Sequence, residues 1–334
     1  MSTAEPVRIV ASVDELLAGA TDHTPLEASD GKSGNWLERV RIDGQPFVAK
    51  HQTYHGDWIM RITGDRVFWA WRAARAGLFD GLPPTIDHAV VAMARDGQGL
   101  DGELVLLMRD VGDELVPEGD EPLLLGHHRD FLVHLAQMHA WRWGWSDDVG
   151  LQTMGQRLSM FAPRTIAPEL SRDDVPVPVR VADQGWARLP DVAPRLAGVV
   201  GALHRDPRPL VDALATTPTT FLHGDWKLGN LGRHADGRTI LLDWAYLGAG
   251  PPLWDLMWYL ALNRARLPES KEAAIDAYRA ALEASGVDTG PWFDRQLGLA
   301  AVAIMVDFAW EKAVGDPEEL AWWDDRVAAV AWPA

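Results

Sequence analysis

Apolar and charged residues alternate from Trp36 to Ile42, stop at Asp43-Gly44, and a second strand-like run follows from Pro46 to Lys50. Alternation with period two marks a half-buried strand, and Asp-Gly is a tight hairpin turn, so the pair predicts an antiparallel hairpin. Another strand is expected at Thr24–Ala28, ahead of the turn Asp30-Gly31-Lys32-Ser33-Gly34. At Asp65 the spacing changes. Val67, Phe68, Trp71 and Ala74 fall on one helical face, and Gly77 is placed to end that helix. Two further strands are expected around Ala89–Ala94 and Leu104–Met108. Ser12-Val13-Asp14-Glu15 has the capping-box pattern and opens a short helix. Three strands, one helix and two strands predict a compact antiparallel sheet with a single helix against it.

After Gly112 the character shifts. Asp113–Pro122 is acidic and turn-rich and reads as a hinge. Helical periodicity then dominates at His127–Trp143, Leu196–Leu203, Leu210–Leu214, Leu253–Leu262, Lys271–Ala284, Trp292–Ala313 and Glu318–Val330. Phe161–Asp191, interrupted by Pro and Asp, is expected to form loops and short helices, and Thr219–Leu222 a short strand. The expected class is α+β in two lobes: a sheet lobe over residues 1–112 and a mainly helical lobe over 113–334.

Composition narrows the functions. The 334 residues, 47% hydrophobic, are enough for a substantial core. With no cysteine, disulfides and thiolate metal sites are excluded. A net charge of −17 argues against nucleic acid and anionic membranes as partners, and is compatible with a cationic substrate. Met1–Val13 lacks the pattern of a secretion signal, and the longest apolar run, Leu297–Val306, is far below the roughly 20 residues that span a bilayer. A cytoplasmic monomer or homodimer is expected.

The chemistry concentrates in His223-Gly224-Asp225-Trp226-Lys227-Leu228-Gly229-Asn230, followed by the strand Ile240-Leu241-Leu242 and Asp243. Phosphoryl transfer from a nucleotide needs a carboxylate at the acceptor hydroxyl and oxygen ligands for Mg²⁺ beside the phosphates. Asp225, with Asn230 and Asp243 at this spacing, supplies all three. Lys227, two residues past Asp225, places an ammonium where it can stabilise the transferring group; a solvated surface lysine is the alternative. His128-Arg129-Asp130 and His204-Arg205-Asp206 imitate a kinase triplet but have Leu135 and Val211 where Asn is needed.

His-Gly-Asp, four residues and Asn, then Leu-Asp-Trp, then Gly250-Pro251-Pro252-Leu253-Trp254-Asp255-Leu256 resembles the aminoglycoside phosphotransferase and choline kinase group of kinase-like enzymes. The resemblance follows the order of elements through most of the chain and is sharp over residues 221–260. It implies a two-lobed protein-kinase-like fold that uses ATP (or GTP) and Mg²⁺. Asp225 would be the catalytic base, Asn230 and Asp243 the metal ligands, and Asp255 a brace for the catalytic loop. Lys50, ending Pro46-Phe47-Val48-Ala49, would hold the α/β-phosphates. Gly31 and Ser33 would lie in the loop over the phosphates, and Met108 and Asp110 in the hinge that receives the base. His139 matches a packed helix histidine.

The chain departs from this pattern twice. Many antibiotic-kinase relatives carry His at the position of Lys227, and the helix after Lys50 has no Glu to pair with it. Asp65 is the nearest carboxylate there, and it serves equally well as a helix-start charge. A nucleotide-binding protein without turnover is therefore the rival reading. A protein kinase is disfavoured by the short interval between Asp243-Trp244 and Gly250, which has no room for a peptide-binding activation segment.

For the acceptor, Asp307 interrupts an apolar helix with Trp310 and Glu311 one turn on. A carboxylate in such a run is paired or faces a cavity. These residues suit a hydroxylated, amine-bearing small molecule, and a salt bridge between helices is the other reading.

Overall fold

The computed structural model describes residues 6–26 and 33–330. In chain order the first part is β1 (Arg8–Val10), α1 (Val13–Leu16), β2 (Thr21–Pro25), β3 (Trp36–Ile42), β4 (Gln45–Thr53), α2 (Trp58–Thr63), α3 (Trp69–Arg75), β5 (Ile86–Asp87), β6 (Val90–Asp96) and β7 (Glu103–Arg109). Helices follow: α4 (Leu125–Trp141), α5 (Met154–Arg157), α6 (Pro163–Leu170), α7 (Val177–Val192), α8 (Pro194–Arg205) and α9 (Arg208–Ala215). Four short strands come next, β8 (Thr220–Leu222), β9 (Leu231–Arg233), β10 (Thr239–Leu241) and β11 (Gly248–Gly250). The chain closes with α10 (Leu253–Leu262), α11 (Lys271–Ala284), α12 (Phe293–Val314) and α13 (Pro317–Ala328). A sheet lobe thus precedes a helical lobe, as the periodicities predict.

The main sheet has the order β1-β6-β7-β4-β3-β2. It is antiparallel except at β1, which runs parallel to β6 and was not expected. β4 lies between β3 and β7, where Lys50 faces Leu37 on one side and Leu106 on the other. The two-residue period separates the faces. Val48, Leu104, Leu106 and Met108 join the large core shared with the helical lobe. Val40, Ala49, Ala92, Val105 and Leu107 form a smaller outer cluster with Leu16 of α1. Lys50, two residues after Val48, therefore lies on the inner face.

The helix expected from Asp65 is two helices. Asp57 starts α2, its Oδ1 accepting the N–H groups of Ile59 and Met60 at 2.8 and 3.2 Å. Gly64, at φ 77°, ends it in the left-handed conformation that glycine adopts without strain. The apolar run Trp58-Ile59-Met60 hides a six-residue helix from a periodicity argument. Phe161–Asp191 also differs from expectation, since α7 is a full helix of 16 residues. Pro178 falls in its first turn, where a missing N–H costs no bond. Gly185 lets α7 meet α12: a Cβ there would stand 2.1 Å from the Trp310 carbonyl oxygen.

α10 and α12 are buried along almost their whole length, as befits helices apolar on every side. Two small sheets, β5-β10-β9 and β11-β8, sit on this core and carry the loops of the site. Among the described residues no helix is long and apolar enough to cross a membrane.

Candidate active site

The loop between β8 and β9 is fixed from below. Trp226 and Leu228 are buried, and Leu228 N–H donates to Asn263 Oδ1 at 3.1 Å. Asp255, fully buried near the start of α10, accepts His223 N–H at 3.0 Å and Gly224 N–H at 2.9 Å, one on each oxygen. His139 of α4 approaches the same carboxylate at 3.3 Å and shares its other ring nitrogen with the Tyr278 hydroxyl at 2.6 Å. Gly224 has φ 84°, and a Cβ there would fall 2.2 Å from the Tyr246 carbonyl oxygen. Only glycine fits that turn. His223 accepts Asp225 N–H on Nδ1 at 3.2 Å. Burial holds its pKa below the ordinary value, so it orients the loop as a neutral ring.

On this base Asp225 is almost fully enclosed. Trp258 Nε1–H donates to its Oδ1 at 2.8 Å. Its Oδ2 accepts the Asn230 amide at 2.8 Å and meets Lys227 Nζ at 2.9 Å. Asn230 also donates to the Asp225 carbonyl at 2.9 Å. Both amide hydrogens are thereby committed, leaving Asn230 Oδ1 as its available donor atom.

Asp243 follows β10 at φ 61°. Its Oδ1 pairs with Lys50 Nζ at 2.7 Å, and its side chain is 31% exposed. Burial raises its pKa, but the Lys50 and Lys227 ammoniums outweigh that and hold it below the usual range. Lys50, Asp225, Lys227, Asn230 and Asp243 thus come from β4, the β8–β9 loop and the end of β10 to one place. An amide oxygen and an acidic carboxylate form an all-oxygen donor set of the kind that Mg²⁺ takes together with water and phosphate. No group of three or more His, Asp or Glu side chains suited to a metal occurs among the described residues.

Asp65 is not beside Lys50. Its oxygens accept Val67 N–H at 3.0 Å and Trp69 N–H at 2.9 Å, capping the start of α3. The carboxylate that Lys50 does influence is Asp57, the cap of α2. Burial pushes Asp57 up to about 6, against the pull of the Lys50 ammonium, while Asp243 pushes the same way as burial. A folded-state pKa above the unfolded 3.8 means that the native protein binds the proton more tightly. Asp57 therefore supports the fold most at low pH, and that support is lost as pH rises from about 4 to 6. Asp57→Asn keeps the cap and removes the buried charge. Compared with wild type, its thermal midpoint should gain nothing at pH 4 and rise by several degrees at pH 7; a midpoint difference independent of pH contradicts this.

Gly31 lies outside the described residues. Ser33 is near the charged group: its carbonyl accepts Trp58 N–H at 3.1 Å, and its hydroxyl accepts the Asn35 amide at 2.8 Å. Gly34 presses on Gly56, where a Cβ would lie 2.4 Å from a carbonyl oxygen. The turn therefore sits against the start of α2. Met108 is buried in β7 opposite Val48, and Asp110 directly follows that strand and accepts Arg39 Nε–H at 2.9 Å.

Asp307 is fully buried, and neither oxygen has a hydrogen-bond partner within the usual distances. Burial pushes its carboxyl well above the usual range, and Arg157 and the Phe161 backbone offset that only in part. Glu311 does not share this environment. It pairs with Lys312 Nζ at 2.6 Å, a buried ammonium that also donates to the Ala261 carbonyl at 2.7 Å. It neutralises a lysine between helices and is set aside as a pocket residue. Trp310 belongs to a row of aromatic rings. Trp258, bonded to Asp225, meets Phe308 with centroids 4.7 Å apart. Phe161 contacts both Phe308 and Trp310, at 5.7 and 5.4 Å, and Trp58 of α2 meets Phe161 at 6.2 Å.

Three residues of this region escaped sequence reasoning. Asp57 carried a readable signal, an Asp just before an apolar run, which is the cap pattern. Trp258 lies one turn beyond Asp255 in an otherwise apolar helix, so nothing distinguished it. Arg157, fully buried and donating to the Tyr246 carbonyl at 2.5 Å, had no signal at all. The two imitation triplets are structural: His128 pairs with the Tyr259 hydroxyl at 2.8 Å, and His204 with the Val306 carbonyl at 2.8 Å.

Comparison of the sequence with curated proteins returns no match. Among solved structures the fold is similar to choline kinase LicA from Streptococcus pneumoniae, with TM-score 0.52 and 11% identity over 95% of this chain and 98% of that one. It is also similar to spectinomycin phosphotransferase APH(9)-Ia, with TM-score 0.51 and 13% identity over 96% and 93%. These likenesses bear out the kinase-like fold. The model of the phosphotransferase enzyme family (APH) matches residues 87–288, a span that includes both the β8–β9 loop and Asp243. Covering well over half of its length, that match places the chain in the phosphotransferase enzyme family.

Proposed function

We propose that this phosphotransferase moves the γ-phosphate of ATP (or GTP) to a hydroxyl of a small, amine-bearing molecule, with Asp225 as the catalytic base. The observation that carries the reading is the setting of Asp225. Trp258 and Asn230 hold its carboxylate, and Lys227 lies against it, within the same cluster as the Lys50–Asp243 pair. The acceptor oxygen attacks the γ-phosphorus, its proton passes to the Asp225 carboxylate, and the bond to the β-phosphate oxygen breaks with its electrons on the nucleoside diphosphate. Lys50 neutralises phosphate charge, and its ammonium in turn favours the charged form of the nearby Asp57 carboxyl. Lys227 stabilises charge on the transferring group. Asn230 Oδ1 and Asp243 would hold Mg²⁺, which when bound offsets the charge of the phosphates. The ADP and spectinomycin in the neighbouring phosphotransferase structure agree with a nucleotide and a small-molecule acceptor. Turnover, rather than nucleotide binding alone, is favoured because Lys50, Asp225, Asn230 and Asp243 are all present and gathered in one cluster.

An amine-bearing acceptor is supported by Asp307, a buried carboxyl whose oxygens lack hydrogen-bond partners, on the same helix as Phe308 and Trp310 of the aromatic row that reaches Trp258. A screen of hydroxylated amines, amino sugars and aminoglycosides, run with ATP and GTP separately, tests this. With the amine that is turned over, Asp307→Asn should raise KM about tenfold or more and change kcat little, since the lost contact is made equally in ground and transition states. An equal loss with an acceptor lacking the amine removes Asp307 from recognition.

A further inference from the structure

A cleft of about 420 Å³ is lined by none of Lys50, Asp225, Lys227, Asn230 and Asp243. Its walls include Trp71, Arg72 and Arg75 of α3, Arg95 of β6, and Val149 from the segment after α4. It therefore lies between the sheet lobe and the helical lobe. Many arginines of this acidic chain are matched to carboxylates, as Arg39 is to Asp110, Arg61 to Glu169 and Arg264 to Asp316. The three in the cleft are not. Arg72 donates only to the Val149 and Gly150 carbonyls, both at 3.2 Å. Arg95 donates to the Gly99 carbonyl at 3.3 Å and lies 4.8 Å over the Phe68 ring, while its buried Nε has no partner. Arg75 makes no hydrogen bond or ion pair with any described residue. Asp65 is the carboxylate acting on Arg72 from a distance, and its oxygens are committed to the cap of α3.

Three guanidiniums around one cavity repel each other, and with a net charge of −17 the chain has ample carboxylates that could have paired with them. Each presents a planar fork suited to an oxyanion, and low-dielectric walls focus their field into the cleft. We propose that this cleft binds a small polyanionic metabolite bearing phosphoryl or carboxylate groups. The bound anion would neutralise Arg72, Arg75 and Arg95 together. It would also fasten α3 and β6 to the segment holding Val149, which continues to Gln152, where the backbone N–H bonds the Leu247 carbonyl at 2.9 Å beyond Asp243.

The test is calorimetric titration of the full chain with pyrophosphate and with citrate, in wild type and in Lys50→Ala, which weakens anion binding in the nucleotide groove. Saturable binding is expected in both proteins. Arg75→Gln, an exposed change that breaks no contact, should weaken it about tenfold or more, as should Arg95→Gln. Binding of pyrophosphate alone assigns a phosphorylated ligand, and of citrate alone a carboxylate. The proposal is overturned if neither anion saturates at millimolar concentration, if Lys50→Ala abolishes binding, or if both arginine variants bind as tightly as wild type.

Discussion

Asp225→Asn should lower kcat about 10²–10⁴-fold while leaving the fold and nucleotide affinity nearly unchanged. The amide matches the carboxylate in shape, so the Trp258 donor at 2.8 Å retains an oxygen to meet. What is lost is the acceptor for the hydroxyl proton, the Oδ2 acceptor of the Asn230 amide at 2.8 Å, and the negative charge opposite Lys227 at 2.9 Å. Lys50, Asn230 and Asp243 remain to bind nucleotide and metal. Steady-state kinetics with an acceptor returned by the screen, beside a thermal melt and a nucleotide titration, gives the answer. A loss below tenfold removes Asp225 from the role of base. A loss that comes with a collapsed melting curve assigns it to the fold instead.

Asp255→Ala should have the opposite signature, with activity lost because stability is lost. Two N–H groups, of His223 and Gly224, surrender their only side-chain acceptor inside the core. Each buried donor left unsatisfied costs about 1–3 kcal/mol. Arg157 also loses the carboxylate that most favours its charge, against a burial that already lowers its pKa to about 10. Together these put the destabilisation at roughly 3–5 kcal/mol, among the larger single-residue effects. The melting midpoint should fall by several degrees or more, and turnover should fall with it as the β8–β9 loop loses its support. Asp255→Ala with a wild-type melt would show that the loop is held by other contacts.

These two variants separate what was legible in the chain from what was not. The hairpin is legible because Trp36–Ile42 alternates with period two and Asp43-Gly44 turns it, although the second strand, expected at Pro46–Lys50, runs over Gln45–Thr53. α10 and α11 could be placed to the residue, at Leu253–Leu262 and Lys271–Ala284, since Pro252 and Ser270 mark their starts. Spacing also selected Lys50, Asp225, Asn230 and Asp243, which the fold brings together from distant parts of the chain. Spacing failed where a carboxylate can do two jobs. Asp65 and Asp57 each precede a helix, and only the tertiary path of β4 decides which one senses Lys50. Likewise, Asp307 and Glu311 lie one turn apart on α12. Lys312, a buried ammonium needing a counter-charge, takes Glu311 and leaves Asp307 alone.

The central claim is that the cluster around Asp225 performs phosphoryl transfer to a small hydroxylated acceptor. The most direct measurement is Mg²⁺-dependent release of nucleoside diphosphate from ATP or GTP, followed across the acceptor panel in wild type and Asp225→Asn. The account predicts that at least one acceptor stimulates release in wild type, acquires the phosphate on a hydroxyl, and fails to do so with the variant. Nucleotide binding with no acceptor-stimulated release, or release unchanged in Asp225→Asn, would contradict it.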